Sequence, residues 1–169
     1  MEKPTPLPFA QSEMVLPSSP LGSIILKASP LGLTGLDIVK RPPEANLANT
    51  RSAVLREAAQ QLIAYFDGLL HQFDLPVDWS AIPDFQEQVL RFTLKIPYGE
   101  TRTYGEIARF LNKPNGSRAV GNALASNPIP IIIPCHRVIG ADNSLRGFSA
   151  PGGVSAKAWL LALEGARLL

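Results

Sequence analysis

The first half of the chain carries strand-like and then helix-like hydrophobic patterns. Two runs rich in aliphatic residues, 21–27 and 31–39, follow each other closely and predict a β-hairpin. Apolar residues then recur at helical spacing over residues 51–70, which predicts one amphipathic helix. Residues 71–83 contain two prolines and no clear period, so we interpret them as a linker. The pattern predicts a small α+β domain and its linker over residues 1–80.

The second half, residues 81–169, has the pattern of a mostly helical domain. Asp84 is followed three residues later by Glu87, which is typical of a capping box and predicts the start of a helix. Thr103 and Glu106 repeat that spacing and predict a second, shorter helix. The fold class expected for the whole chain is therefore α+β, with the helices concentrated in the second domain.

A third helix is predicted over residues 118–126, with Ser117 as its cap and with its end at Asn127, which precedes a proline. Together with the short helix before it, this segment forms a helix-turn-helix pattern. Val120 and Leu124 should face the core. The residues expected on the exposed side are Ala119, Asn122, Ala123 and Ser126, with Gly121 between, and nearly all of them are small. Such a face suits close approach to the minor groove of DNA better than base readout in the major groove; close packing of two helices is the alternative.

The next segment contains the one cysteine of the chain. Prolines exclude a regular helix over residues 128–134, so we expect a buried, extended segment that presents Cys135. An ordinary thiol is a few per cent ionised at neutral pH. Lowering its pKa by two units requires about 2.7 kcal/mol of preferential stabilisation of the thiolate. His136 and Arg137 are the nearest groups that could supply it, although contact between the ring and the sulfur needs a turn or a bridging water. An inert buried thiol is the alternative that these residues leave open.

Composition and charge narrow the class of protein. One cysteine and two histidines can form neither an internal disulfide nor a Cys-rich zinc site. The N-terminus lacks a signal-peptide pattern, and no apolar run approaches the ~20 residues that span a bilayer, so we expect a cytoplasmic protein without a membrane partner, associated with the nucleoid in a bacterial cell. Between Phe85 and Gly147 the net charge is positive, which suits a phosphate-facing surface or an unevenly charged solvated one.

Five motifs follow one another in this second half. They are Ile96-Pro97-Tyr98-Gly99-Glu100-Thr101 with Tyr104-Gly105-Glu106-Ile107-Ala108, Arg118-Ala119-Val120-Gly121-Asn122-Ala123, Asn127-Pro128-Ile129, Pro134-Cys135-His136-Arg137-Val138-Ile139-Gly140, and Lys157 with Trp159-Leu160-Leu161 and Glu164-Gly165. In these motifs the sequence resembles the O6-alkylguanine-DNA alkyltransferase family, also called methylated-DNA protein-cysteine methyltransferases. The resemblance covers residues 84–165, is most specific around Cys135, and is loose over the first half.

The resemblance implies direct-reversal DNA repair. A methyl or larger alkyl group would pass from O6-alkylguanine in duplex DNA to Cys135 after base flipping, and O4-alkylthymine is a further candidate substrate. The resulting thioether would be permanent, so the protein would be a single-turnover methyltransferase. The chemistry implied needs no metal, nucleotide or other cofactor. The expected partner is double-stranded DNA, bound without sequence preference by a monomer.

The family also implies roles for the residues around the cysteine. His136 would take the thiol proton through a water, and Glu164 would polarise the imidazole. Tyr104 would press on the phosphate beside the target nucleotide and later bind the departing guanine. Asn127 would link the helix-turn-helix to the segment that carries Cys135.

A second group of residues is implied in binding DNA and the alkylated base. Arg118 would fill the gap that the flipped nucleotide leaves in the stack. The further DNA contacts expected are Thr103, Tyr104, Ala119, Gly121, Asn122 and Ala123, and the pocket residues expected are Pro134, Val138, Phe148 and Ser149. Phe148 stands where many relatives have Tyr, and the loop 149–153 is about two residues longer than is common, so the range of lesions accepted could differ.

Three other functions remain compatible with parts of the pattern. A non-catalytic sensor of alkylated DNA would share the binding helix, but such relatives often carry Trp at the cysteine position. A helix-turn-helix regulator would need a recognition helix with longer polar side chains. A Cys-His hydrolase would need an imidazole placed differently from His136, and His71, the other histidine, lies in the predicted linker.

Overall fold

The computed structural model describes residues 11–43 and 51–166, which form two compact units. One unit ends at Ile82 and the other begins at Pro83. Within the described residues, no helix is both long and apolar enough to cross a membrane. The mixed α+β class expected from the sequence is confirmed, with a small sheet near the N-terminus and most helices in the second unit.

Over its described residues, the first unit is a three-stranded antiparallel sheet with one helix. The strands are β1 (Ser12–Leu16), β2 (Ser23–Ser29) and β3 (Gly32–Val39), in the spatial order β1-β2-β3. The predicted hairpin corresponds to β2 and β3, while β1 is an additional strand. The predicted helix is α1 (Ala53–Phe66), which packs its buried side chains against the sheet.

The segment predicted as a linker is instead bound to the first unit. Leu33 of β3 donates its amide to Pro76 O at 2.8 Å, and its carbonyl accepts from Asp78 N at 2.9 Å. Asp78 also accepts a hydrogen bond from the Ser29 hydroxyl at 2.6 Å. Two prolines and the lack of a clear period suggested a loose connection, but the backbone groups of Pro76 and Asp78 extend the pairing of β3.

Up to residue 166, the second unit contains four α-helices and a short parallel ladder. The helices are α2 (Asp84–Thr93), α3 (Tyr104–Phe110), α4 (Ser117–Ala125) and α5 (Gly153–Leu163). The ladder pairs β4 (Arg102–Thr103) with β5 (Val138–Ile139). Both α2 and α3 pack on α4, which places α4 between them and leaves one of its faces to solvent.

Of the three helix caps that the sequence predicts, one is found in the structure. At α3 the capping box is confirmed: Thr103 Oγ1 accepts from Glu106 N at 3.1 Å, and Glu106 accepts from Thr103 N. Asp84 is the first residue of α2 rather than its cap, because Pro83 takes the cap position. Ser117 likewise begins α4 inside the helix, after Gly116.

Gly116 takes the cap position of α4 for a steric reason. The chain turns so tightly there that Gly116 N bonds to Lys113 O at 2.7 Å, and a Cβ at Gly116 would meet that oxygen at 2.9 Å. Any residue with a side chain would therefore open the turn that joins α3 to α4.

Candidate active site

Cys135 lies at the start of a single 3-10 turn, Cys135–Arg137, and is 7% exposed. The extended conformation predicted for this segment is wrong here, because Arg137 N bonds back to Pro134 O at 2.9 Å and closes the turn. The chain before it is buried as expected, but it folds on itself: Ile133 N bonds to Ile129 O at 2.9 Å, with Ile131 at φ 73° between them. The sulfur is thus presented by a compact loop whose residues 129–134 are buried.

Asn127 ties that loop to the end of α4. Its side-chain oxygen accepts from Ile129 N at 3.0 Å, and its amide nitrogen donates to Ile133 O at 2.9 Å. The side chain is buried, so these bonds form in a medium where neither backbone group could otherwise reach water. The structure therefore places Asn127 between the helix and the turn that carries Cys135.

The surroundings of Cys135 favour the neutral thiol. Burial raises the pKa of Cys135, and the opposing effects of the Asn127 hydrogen bond and of the Lys157 charge do not overcome it. The sequence suggested that a neighbouring charge would lower this pKa, and that expectation is wrong for the free protein. A neutral sulfur is a weak nucleophile, so this site needs a base to take the proton when the sulfur reacts.

A buried carboxylate holds the ring beside the cysteine. His136 Nε2 lies 2.7 Å from Glu164 Oε1, and both side chains are fully buried. Burial opposes ionisation of Glu164, but hydrogen bonds from His136 and Arg137 outweigh it and lower its pKa to about 2. Glu164 is therefore a carboxylate that accepts from Nε2–H, which leaves Nδ1 as the ring nitrogen able to take a proton.

Arg137 also binds this carboxylate. Its Nε donates to Glu164 Oε2 at 2.8 Å, its Nη2 donates to Oε1 at 2.9 Å, and its Nη1 donates to Ile96 O at 2.6 Å. The sequence offered Arg137 as a partner for the sulfur, but its guanidinium points to Glu164. Nothing in the sequence spacing indicates this, because the two residues are brought together only by the packing of α5 on the 3-10 turn.

Tyr104 and Lys157 meet at one backbone carbonyl. The Tyr104 hydroxyl donates to Arg146 O at 3.0 Å, and Lys157 Nζ donates to the same oxygen at 3.0 Å and to Val138 O at 2.6 Å. Burial raises the pKa of Tyr104 and lowers that of Lys157 to about 8. Lys157 was expected only as part of a motif; its position in an otherwise apolar helix is the sequence signal for a special environment.

A cavity of about 780 Å³ opens beside Cys135. Its lining residues come from the start of α3, from α4 and from the loop after β5: Tyr104, Gly105, Ser117, Arg118, Gly121, Asn122, Leu124, Ala125, Cys135, Gly140, Ala141, Arg146, Gly147, Phe148 and Ser149. The cavity therefore brings together the reactive sulfur, two of the implied pocket residues and much of the exposed face of α4.

Two other implied pocket residues do not line this cavity. Pro134 is buried and precedes the 3-10 turn, while Val138 is buried in β5, paired with Arg102. Their backbone oxygens instead accept hydrogen bonds, Pro134 O from Arg137 N and Val138 O from Lys157 Nζ, which fix the chain on either side of the 3-10 turn.

Some of the implied DNA contacts are exposed, and others are not. Arg118, Ala119 and Asn122 are exposed on α4, and Gly121 is half-buried next to the Tyr104 ring. Ala123 is buried, so its expected exposure is wrong: it lies three residues after Val120 on the stripe that packs into the core. The hydroxyl oxygen of Thr103 serves as the cap of α3.

Two family models match the chain, one over each half. Residues 84–166 match the 6-O-methylguanine DNA methyltransferase DNA binding domain, and residues 15–79 match the ribonuclease-like domain of the same enzymes. The first of these regions contains every residue of the site described above.

Individual relatives and solved structures that cover both halves of the chain agree with these matches. A methylated-DNA–protein-cysteine methyltransferase of Methanosarcina barkeri is 46% identical over 149 residues, which cover 86% of this chain and 92% of the relative. The corresponding protein of Mycobacterium leprae is 44% identical over 86% of this chain and 88% of its own. A crystal structure of Mycobacterium tuberculosis OGT in complex with DNA is 41% identical, with a TM-score of 0.79 over 90% of this chain and 92% of that one. The chain therefore belongs to the 6-O-methylguanine DNA methyltransferase family.

Proposed function

We propose that this protein repairs alkylated DNA directly, by moving a methyl or larger alkyl group from O6 of guanine in duplex DNA to Sγ of Cys135. The observation that carries this proposal is the position of the chain's one cysteine at a cavity bordered by the exposed face of α4. A volume of about 780 Å³ is in the range of pockets that enclose a ligand of the size of a nucleobase. O4-alkylthymine is a second substrate that the same cavity could receive.

The target base has to leave the duplex before it can meet the sulfur. An alkyl group on O6 lies within the stacked bases, and Cys135 lies in a cavity that a duplex cannot enter intact. We assign α3 and α4 as a helix-turn-helix whose second helix enters the minor groove, since the exposed residues Ala119 and Asn122 allow close approach without reading a sequence. Arg118, at the start of α4, would occupy the space left in the stack.

The transfer itself is a displacement at the alkyl carbon. The thiol proton passes to Nδ1 of His136 through a bridging water, and Glu164 stabilises the imidazolium that forms. A bond forms between the sulfur of Cys135 and the alkyl carbon, and the bond from that carbon to guanine O6 breaks. Guanine leaves as it gains a proton, for which we assign the Tyr104 hydroxyl as the donor, so one proton is lost by the thiol and one is gained by the base.

The product explains why each molecule acts once. Water does not readily hydrolyse a thioether, and nothing in this chemistry regenerates the thiol of Cys135. Metals and organic cofactors have no step to perform in it. The protein is therefore consumed in proportion to the lesions repaired, and we expect it to act as a monomer on DNA of any sequence.

A repair assay tests the proposal. Protein mixed with an excess of duplex DNA that contains O6-methylguanine should remove one lesion per protein molecule and then stop. Cys135→Ser keeps the size of the side chain but not the sulfur, and should remove none. Repeated turnover by the natural protein, or equal repair by Cys135→Ser, would overturn the proposal.

A further inference from the structure

We propose that Arg137 is a positioning residue that keeps the His136 ring neutral, and so able to accept the proton of Cys135, by sharing the Glu164 carboxylate. The inference rests on the proposed function, because it concerns the base of that reaction. It goes further by giving a task to a side chain that does not line the cavity.

The carboxylate of Glu164 has its hydrogen-bonding positions filled from three directions. Oε1 accepts from His136 at 2.7 Å and from Arg137 Nη2 at 2.9 Å, while Oε2 accepts from Arg137 Nε at 2.8 Å and from Gly99 N at 3.3 Å. The planar guanidinium matches both oxygens at once, which a lysine cannot do. The carboxylate is therefore held in one orientation, with Oε1 directed at the ring.

Charge is the reason that this arrangement affects proton transfer. A buried carboxylate alone beside an imidazole stabilises the protonated ring, and a ring that is already protonated cannot accept a proton from sulfur. Arg137 cancels the charge of Glu164 and places its own positive charge near the ring. Burial lowers the pKa of His136, with the charges of Arg137 and Lys157 acting in the same direction against the pull of Glu164.

The charged and titratable groups around the ring come from each element that packs there. Arg137 shares the 3-10 turn with the ring, Glu164 follows α5, and Lys157 lies within α5. Tyr98, in the turn after α2, lies under the guanidinium, with Arg137 Cζ 5.8 Å from its ring centre. Cys135 completes the set. Among these groups the Arg137 charge is the one that binds the carboxylate directly on both oxygens.

A purely structural role for Arg137 predicts a different result. Its bond to Ile96 O, together with the two bonds to Glu164, joins the end of α2, the 3-10 turn and the end of α5. If Arg137 only anchored these elements, its loss would lower the rate of alkyl transfer by the same factor at every pH. If it sets the charge state of His136, the loss would be greatest at low pH and would be relieved as pH rises.

The state of the ring can be read directly in the protein without DNA. The chain has two histidines, and His71 is exposed in the first unit, so a His71→Gln background leaves one ring to label. In 15N spectra of the labelled ring, we expect His136 to be the neutral Nε2–H form at pH 7. In Arg137→Met the ring should become protonated at neutral pH, with its titration moved upward by about one pH unit or more. Arg137→Lys keeps the positive charge and should titrate close to the natural protein.

Rates of alkyl transfer provide the second readout. Relative to the natural protein, Arg137→Met should lose at least about tenfold more rate at pH 6.5 than at pH 8.5, while Arg137→Lys should lose a similar factor at both. A ring that is already protonated at pH 7 in the natural protein would overturn the proposal, and this measurement holds even if Arg137→Met fails to fold. An unchanged ring titration in Arg137→Met would do the same. The ring spectra need no substrate, so failure of the proposed repair activity would be seen separately.

Discussion

The reactive residue occupies a place that suppresses its own ionisation. Burial raises the pKa of Cys135, so at neutral pH the free protein holds a thiol that is shielded from other reactions. In the mechanism we propose, reactivity depends on the buried pair His136 and Glu164 and on substrate binding that brings an alkyl carbon into the cavity. The sulfur is therefore not a thiolate before substrate binds. Its selectivity for a bound base comes from the groups arranged around it.

We propose that Arg118 acts on the DNA duplex and takes no part in the transfer of the alkyl group. Arg118→Ala should slow repair of a methylated duplex by at least about tenfold, because an extruded base returns to the stack when nothing fills the gap. Reaction with the free O6-alkylguanine base should change by less than about twofold, within the ±0.5 kcal/mol typical of a neutral surface substitution. Arg56→Ala, at an exposed position on α1, is the control and should affect neither rate. Single-turnover rates on both substrates are the measurement, and equal losses would contradict the stack-filling role.

Glu164 links the site to stability at acid pH. Its pKa falls from 4.5 to about 2 on folding, which corresponds to about 3 kcal/mol of stability at neutral pH. The sign follows from the lowered value: the contribution is complete above the unfolded-state pKa and is lost as pH falls from 4.5 towards 2. The gap in free energy of unfolding between the natural protein and Glu164→Gln should therefore shrink over that interval.

Urea unfolding at a series of pH values measures this gap. Glu57→Gln, at an exposed position on α1, is the matched control and should change the free energy by less than about 0.5 kcal/mol throughout. A gap for Glu164→Gln that stays constant from pH 7 to the acid limit would show that its ionisation does not stabilise the fold.

Residue by residue, the sequence predicted the groups proposed to react but not the contacts that hold them in place. Cys135 and His136 stand out because a single cysteine next to a histidine is a chemical signal, and Glu164 entered through resemblance to a family. The shorter hydrogen bonds of Lys157 go to the backbone carbonyls of Val138 and Arg146, which lie 19 and 11 residues before it. Carbonyl groups have no sequence signature, so such contacts could not be predicted.

Among the elements, the short helices position the site most directly. The capping box of α3 fixes the residue that follows it, Tyr104, whose hydroxyl reaches Arg146 O. The parallel pairing of β4 with β5 places that box next to the chain that leaves the 3-10 turn. The capping box and the strand pairing together therefore bring Tyr104 to the cavity that Cys135 also lines.

Removing the cap of α3 should measure how much its hydroxyl contributes to stability. Thr103→Ala should lower the free energy of unfolding by about 1 kcal/mol, because the Glu106 amide loses its partner at the helix start. Thr103→Ser retains the hydroxyl and should lie closer to the natural protein than Thr103→Ala does. Chemical denaturation of the three proteins gives the comparison. Equal losses in the two variants would mean that the hydroxyl does not act as the cap.

Elements with a clear sequence pattern were predicted, and those without one were not. Helical periodicity and the α3 capping box were sufficient to locate α1 and α3. β1 was missed because two of its five residues are buried, which gives little alternation. The 3-10 turn at Cys135 was predicted as extended, since prolines exclude a helix but do not say how the residues between them turn; the bond from Arg137 N to Pro134 O decides that.

Over the whole molecule, both units match the same family of enzymes, and the site lies within the second. The first unit has its own sheet, its own buried face on α1 and its own bound segment, residues 71–82. The sequence predicted its α+β character but treated that segment as a linker, because backbone pairing to Leu33 cannot be seen in a list of side chains. Single use of each molecule is a property of the whole chain, since it carries one cysteine.

The most direct test of the central claim is the mass of the peptide that contains Cys135 after the protein has been incubated with duplex DNA containing O6-methylguanine. We predict that this peptide gains the mass of one methyl group, that fragmentation places the group on the sulfur, and that the same protein incubated with unmodified DNA shows no change. An unmodified Cys135 in protein that is folded and bound to the methylated duplex would contradict it.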